Sequence, residues 1–190
     1  MKHIFFCLVH AAALSLAAPA FASPFYPTEA AVFFSPNGGA EDAIVRPIDS
    51  AKSRIRMQAF LFPNKEITGA LIRAHQRGVK VDVIIDKKMP KKKPNTTEDL
   101  IEAGVPTFFD TAHRTAHDKI IIVDDDIVLT GSFNFVKVAE TKNGENLLIL
   151  KSKPLAEEYV KNWEKHFTHS VPAAPEKEKG TEVPLTKTQN

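Results

Sequence analysis

Residues able to do chemistry crowd into one stretch of this 190-residue chain. Between Ala116 and Glu145 it reads His117-Asp118-Lys119, then Asp124, then Gly131-Ser132 and Asn134. In an extended segment residues two apart face the same way, so His117 and Lys119 project together, and so do Ser132 and Asn134. Ile120 to Val123 and Ile127 to Leu129, separated by Asp124-Asp125-Asp126, read as an antiparallel hairpin with an acidic turn, which brings both pairs to one end. The assembled set is an imidazole that can serve as nucleophile or general acid/base, a fixed cation, an amide, and a hydroxyl beside a glycine. That set suits a phosphodiester: the donors neutralise non-bridging oxygens where transition-state charge develops, and the imidazole attacks or moves protons near neutral pH. A lone histidine on a strand is more often structural than catalytic; partners at fixed spacing reverse that reading for His117. The acidic run 124–126 is a solvated turn sooner than a cation site.

The flanking sequence predicts the scaffold. Ala31 to Phe34 reads as a strand closed by the turn Ser35-Pro36-Asn37-Gly38-Gly39, and residues 40–52 as a helix that Pro47 should kink or restart. Ile55 to Phe60 is a strand. Lys65 to Arg77 carries Ile67, Leu71, Ile72 and His75 at helical spacing, with Asn64 to cap it and Gly78 to end it. Val79 to Asp86 is a central strand, Thr96 or Thr97 caps a short helix ending at Gly104, and Val105 to Phe109 is a further strand. Strands alternating with helices imply βαβ units. The expected fold is therefore α/β: a mixed, largely parallel sheet flanked by helices on both faces, with the antiparallel hairpin carrying the His117 motif. Asn146 to Lys151 adds a strand, and residues 154–169 a final amphipathic helix started by Pro154, with Leu155, Tyr159, Trp163 and Phe167 along one side.

Composition bounds the reading. With 43% apolar and 25% charged residues the chain has the makings of one globular domain, not a disordered or fibrous one. Net charge is only +2, so a polyanionic partner cannot be argued from it. Met1-Lys2-His3, the apolar run Ile4 to Ala18 and Ala20-Phe21-Ala22 read as a signal peptide, residues 1–22, cleaved before Ser23. An uncleaved anchor is the weaker reading, because the run is short and broken by His10, Ser15 and Pro19. Cleavage removes Cys7, the one cysteine, and leaves a thiol-free chain suited to the periplasm or the extracellular space, with no stable membrane association. Residues 23–170 form the expected domain, and 171–190, rich in Pro, Glu, Lys and Thr, a disordered tail.

Six positions, His117-x-Lys119-x4-Asp124-x6-Gly131-Ser132-x-Asn134, resemble the HKD motif of the phospholipase D superfamily, and Asn143-Gly144-Glu145 resembles the Asn-x-Glu element that follows it. The resemblance runs from about Phe33 to about Phe167. Within the superfamily the chain resembles the small, exported, single-motif bacterial endonucleases of the Nuc type. This resemblance implies a homodimer, because larger members join two motifs in one site and this chain has one. It implies that His117 of one protomer attacks phosphorus to give a phosphohistidine while the second His117 protonates the leaving oxygen and then activates water. Lys119 and Asn134 would bind phosphate oxygens, Ser132 would support them, and Glu145 would orient an imidazole. Asp124 and Gly131 would be structural.

On that reading the reaction needs no metal or other cofactor, since lysines and amides supply the charge. His113 and His117 are four apart, a spacing that pairs ligands on a helix, whereas this segment reads as loop into strand; His113 is expected at a pocket edge or on the surface. His75, His166 and His169 are given no role. Lys87, Lys88, Lys91, Lys92 and Lys93 lie in a proline-punctuated loop directly after a central strand. Such a run is usually a solvated face; beside a phosphodiester site it becomes a rail for a nucleic-acid backbone, read without base information. The expected substrate is DNA, with RNA second, and the runner-up is a phospholipid headgroup.

Overall fold

The computed structural model describes residues 25–88 and 96–173. In chain order the elements are β1 (Glu29–Ser35), α1 (Ala40–Ser50), β2 (Arg54–Ala59), α2 (Lys65–Gln76), β3 (Lys80–Asp86), α3 (Thr97–Glu102), β4 (Thr107–Asp110), β5 (Lys119–Val123), β6 (Ile127–Gly131), α4 (Lys137–Thr141), β7 (Glu145–Lys151), α5 (Lys153–Thr168) and β8 (Ser170–Pro172). Most expected elements lie where the pattern put them. The Asn64 side chain accepts from the N–H groups of Glu66 and Ile67 at the start of α2, and Gly78, at φ 88°, turns the chain out of it. Two local expectations differ. Of the kink or restart expected at Pro47, the restart does not occur, since α1 continues through it to Ser50. Thr96 stands at the N-cap of α3, but its hydroxyl donates to the carbonyl of Phe62 instead of capping.

The strands make one sheet in the order β1-β7-β6-β5-β2-β3-β4-β8. Here the structure corrects the largely parallel sheet: only β2–β3 and β3–β4 are parallel, and the other five pairings are antiparallel. The physical reason is that only α2 and α3 act as crossovers between neighbouring strands. β1, α1 and β2 were expected to form a third such unit. Instead β1 lies at the far edge, antiparallel to β7, with Glu29 opposite Lys151 and Ser35 opposite Glu145. β5, β6 and β7 form a meander. The tail boundary also shifts, because Ser170–Pro172 pairs with β4 at the other edge. Residues 174–190 and the signal peptide 1–22 lie outside the described residues.

Helices cover both faces. On one, Ile44 and Ile48 of α1, Ile67 and Leu71 of α2 and Leu100 of α3 pack on Ile55, Met57, Val83, Ile121 and Leu129 of the sheet. On the other, Ala156 and Trp163 of α5 cover Ile84, Ile120, Ile122 and Val128. The Trp163 indole N–H donates to the carbonyl of Met57 at 3.2 Å, so the largest buried side chain leaves no unpaired donor. The α1 N-terminus is held from a distance: Glu140 of α4 accepts from the N–H groups of Gly39 and Glu41, both at 3.0 Å.

The β5–β6 turn is pinned by Asp124. Asp124 and Asp125 take left-handed conformations at φ 53° and 55°, and the Asp124 carboxylate accepts from the N–H groups of Lys52, Ser53 and Arg54 and from the Ser53 hydroxyl at 2.8–3.1 Å for the shorter contacts. Its own N–H donates to the carbonyl of Arg54 at 2.8 Å. Burial pushes the Asp124 carboxyl up, but the backbone donors Arg54, Ser53 and Lys52 and the Ser53 hydroxyl outweigh it and hold it below its ordinary value. A lowered native value stabilises the fold above the unfolded carboxylate value and loses that contribution as pH falls through the native one. Asp124→Asn should therefore cost about 1–3 kcal/mol at pH 7 in urea denaturation. The gap from the unsubstituted protein should close at acid pH; an equal gap at pH 7 and pH 3 would refute the ionic role.

Candidate active site

The register places one strand end from every element of the motif on the same edge of the molecule. Ala59 at the end of β2 pairs with Lys119 at the start of β5; Ile120 pairs with Thr130, which sets Gly131 beside Lys119; Gly131 pairs with Leu147, so Glu145 at the start of β7 is next in line. Ser35, Asp86 and Asp110 end β1, β3 and β4 on that same side. Gly131 is required by close approach: a Cβ there would stand 2.3 Å from the carbonyl oxygen of Asn146, and its φ of 148° lies outside the range side chains favour.

His117 and Lys119 are together, as their spacing implied. The Lys119 ammonium lies 3.1 Å from Nδ1 and 3.3 Å from Nε2 of His117 and donates to the His117 carbonyl at 2.8 Å. An ammonium only donates, so the ring nitrogen facing it is an acceptor. His117 is exposed, while Lys119 is 7% exposed. Burial pushes the Lys119 ammonium down from its ordinary value, against the opposing pull of Asp118 and Glu145. Phe60, which the sequence reading did not single out, packs its ring 4.5 Å from the His117 ring and 5.4 Å below the Lys119 nitrogen. Phe60 directly follows Ala59, the register partner of Lys119, a relation that only the strand pairing reveals.

Ser132 and Asn134 lie just past the end of β6, not within a strand. The Ser132 hydroxyl donates to Glu145 Oε2 at 2.6 Å and accepts from the Asn146 N–H at 3.0 Å, and the Asn143 amide donates to Glu145 Oε1 at 3.1 Å. Within one chain Glu145 is thus held by Ser132 and Asn143, and these are its hydrogen bonds among the described residues. Phe133 and Phe135 are each 1% exposed and anchor the loop, and between them the Asn134 side-chain oxygen is buried with no hydrogen-bond partner. An unpaired buried amide oxygen is costly and marks a group held by its neighbours' packing.

The loop delivering His117 is fixed by a buried acid. Asp86, fully buried, accepts from the Ala116 N–H at 2.7 Å and from the Lys88 N–H at 2.9 Å, joining the β5 approach to the lysine segment. Lys87 donates to the Thr111 carbonyl at 2.7 Å and Lys88 to the Thr115 hydroxyl at 2.8 Å, so both reach toward the loop before His117. Lys91, Lys92 and Lys93 lie outside the described residues.

Beside this edge is a cluster that the sequence reading missed. His113, expected at a pocket edge, and His166 and His169, given no role, all meet Asp110. Burial pushes the Asp110 carboxyl up, yet hydrogen bonds from His166, from the ring and backbone of His113 and from His169 hold it well below the usual carboxylate range. The local signal was His166-x-x-His169, one face of a helix end.

Residues 44–169 match the profile of the family described as cardiolipin synthase, PLD-like domain. The chain is similar to a phospholipase D of Rickettsia typhi, 39% identical over 130 residues, covering 68% of this chain and 64% of that one; it thus spans less than two thirds of that relative's length. Among solved structures, Nuc from Salmonella typhimurium, a phospholipase D family member, is 36% identical with a TM-score of 0.74, covering 77% of this chain and 99% of that one. NucT from Helicobacter pylori, 22% identical with a TM-score of 0.69 over 77% of this chain and 100% of that one, shares the fold. With the motif complete and His117, Lys119, Ser132 and Asn134 on one edge of this sheet, the chain belongs to the phospholipase D superfamily.

Proposed function

We propose that the chain is an exported phosphodiesterase that cleaves DNA, and RNA as a second substrate, without sequence preference and without a metal in the reaction. The observation that carries this reading is the His117–Lys119 pair facing one rim shared with Ser132, Asn134 and Glu145, a single set in a chain that needs two histidines for a double displacement. A homodimer supplies the second. His117 of one protomer attacks phosphorus; the nitrogen–phosphorus bond forms, the ester bond to the leaving oxygen breaks, and His117 of the partner subunit gives that oxygen its proton. The same partner imidazole then takes a proton from water as the water oxygen displaces His117. Lys119 and Asn134 hold the non-bridging oxygens, with Ser132 fixing the position of Glu145. Glu145 orients an imidazole only across the dimer, since within the chain its carboxylate serves Ser132 and Asn143.

The relative named phospholipase D keeps a lipid headgroup as the second reading, with the same chemistry at the same histidine. Against it, α5, the one long amphipathic helix expected from the sequence to face the core, packs Ala156 and Trp163 onto the sheet and so does not offer that side to a lipid surface. The lysine segment, continuous with the His117 loop through Asp86, favours an extended polyanion.

Plasmid DNA should be cleaved and phosphatidylcholine left intact, with and without chelator; headgroup release without nicking would transfer the assignment to lipid. His117→Asn should lower turnover at least 10³-fold in a protein that stays folded, a loss typical of a missing catalytic nucleophile. Sedimentation should show a dimer at active concentrations; an active monomer would end the shared-site mechanism. Neutralising Lys87, Lys88, Lys91, Lys92 and Lys93 together should raise KM for DNA and flatten its salt dependence, while unchanged values would make the segment a solvated face.

A further inference from the structure

The edge of the sheet farthest from β1 ends in four side chains that the phosphodiester chemistry does not use. Asp110 closes β4 and is fully buried; His113 follows three residues later in the loop toward His117; His166 lies in the last turn of α5 and His169 is its C-cap. Their ligand atoms all lie within 4.8 Å of one another.

The two carboxylate oxygens of Asp110 have different surroundings. Oδ1 accepts from the backbone N–H groups of Ala112 and His113 at 3.1 and 3.2 Å. Oδ2 faces three imidazole nitrogens: Nδ1 of His113 at 2.9 Å, Nδ1 of His166 at 2.8 Å and Nε2 of His169 at 3.3 Å, and His113 Nδ1 also lies 3.1 Å from Oδ1. A carboxylate offers about four lone-pair sites, and with two backbone N–H groups already on Oδ1 the three rings cannot each have one of their own. The rings are crowded as well, with centroids 4.6, 5.1 and 5.4 Å apart. A buried carboxylate ringed by three convergent nitrogens is arranged for a cation of higher charge than a proton.

We propose that Asp110, His113, His166 and His169 form a structural site for one Zn²⁺ ion, separate from the His117 chemistry. Three imidazoles and one carboxylate give four donors, the number and type of a closed tetrahedral zinc centre, whereas Mg²⁺ and Ca²⁺ take oxygen sets. Zinc bonds of ~2.0–2.1 Å imply ligand edges of about 3.3–3.4 Å. The contacts to Oδ2, at 2.8–3.3 Å, already lie near that value, while the ring nitrogens, within 4.8 Å of one another, would have to draw together around the ion. His113, 45% exposed at its side chain, leaves the ion a way in, and the Thr111 hydroxyl, donating to the His169 carbonyl at 2.8 Å, already ties the loop to the end of α5. The ion would fasten the end of α5 and the start of β8 to β4 and to the loop that delivers His117. Without it those segments are joined by the short pairing of β8, the Thr111–His169 bond, the Ala173–Thr107 backbone bond and the Phe108–Phe167 ring contact.

The test uses untagged protein stripped with chelator. Co²⁺ should bind once per chain with the ligand-field bands of a tetrahedral site, and saturating Zn²⁺ should raise Tm by about 5–10 °C. His166→Gln and His169→Gln should each abolish the bands and the shift, while His75→Gln and His117→Asn keep both. Should either glutamine variant fail to fold, the titration of the unsubstituted protein decides by itself. Absent bands and an unmoved Tm there would show a hydrogen-bonded histidine cluster and overturn the site, as would bands undiminished in the folded glutamine variants.

Discussion

The pairing register of β5 is the constraint on which the site depends. With side chains alternating across a sheet, a slip of one residue would turn Lys119 into the apolar α5 face and put Ile120 in its place, removing the cation from His117 and burying a charge among apolar side chains at once. Two features lock that register. At one end the Asp124 carboxylate gathers the N–H groups of the α1–β2 loop, so the hairpin cannot slide along β2. At the other, the backbone of Gly131 lies so close to Asn146 that no side chain fits between β6 and β7. Asp124 and the catalytic candidates belong to one sequence motif yet lie at opposite ends of β5: the motif encodes a strand length as well as a set of reactive groups.

Around that strand the polar groups divide into those that hold loops and those left to meet a ligand. Asp86 and Asp110 end neighbouring parallel strands and each spends one carboxylate oxygen on backbone N–H groups of the loop leading to His117. Both are fully buried, so these bonds are made in surroundings where leaving them unmade would be expensive. The Ser132, Glu145 and Asn143 contacts do the same for the opposite wall. What remains solvent-facing between the two walls is the His117 ring, with Phe60 behind it. Rigid support and an exposed imidazole are the combination that preorganised catalysis requires.

Much of this was legible in the sequence because it is local. Asn64 before an apolar helical pattern, Gly78 after it, and a hairpin with reactive residues at fixed offsets each express short-range physics. Strand direction was not legible. The alternation β1, α1, β2 looks like a parallel unit, but nothing within residues 29–59 says that β1 prefers β7, because pairing partners are chosen by the completed sheet. The cluster at Asp110 escaped for the same reason: its members are separated by 56 and 59 residues along the chain, and no single stretch shows more than a pair of histidines. Ser132 and Asn134 reach the same edge as His117 through a loop anchored by Phe133 and Phe135 and not, as their spacing suggested, through strand alternation.

The placement of β1 sets an order of assembly. Glu29 and its partner Lys151 are 122 residues apart, so during synthesis β1 has no β7 to bond until almost all of the described domain has followed it. Its exposed Val32 and Phe34 must wait as an unpaired edge, the kind of segment that other chains can capture. Once β7 is in place, β1 closes the sheet as its last layer on that side. Protease protection of residues 29–35 would then report completion of the domain, not its beginning.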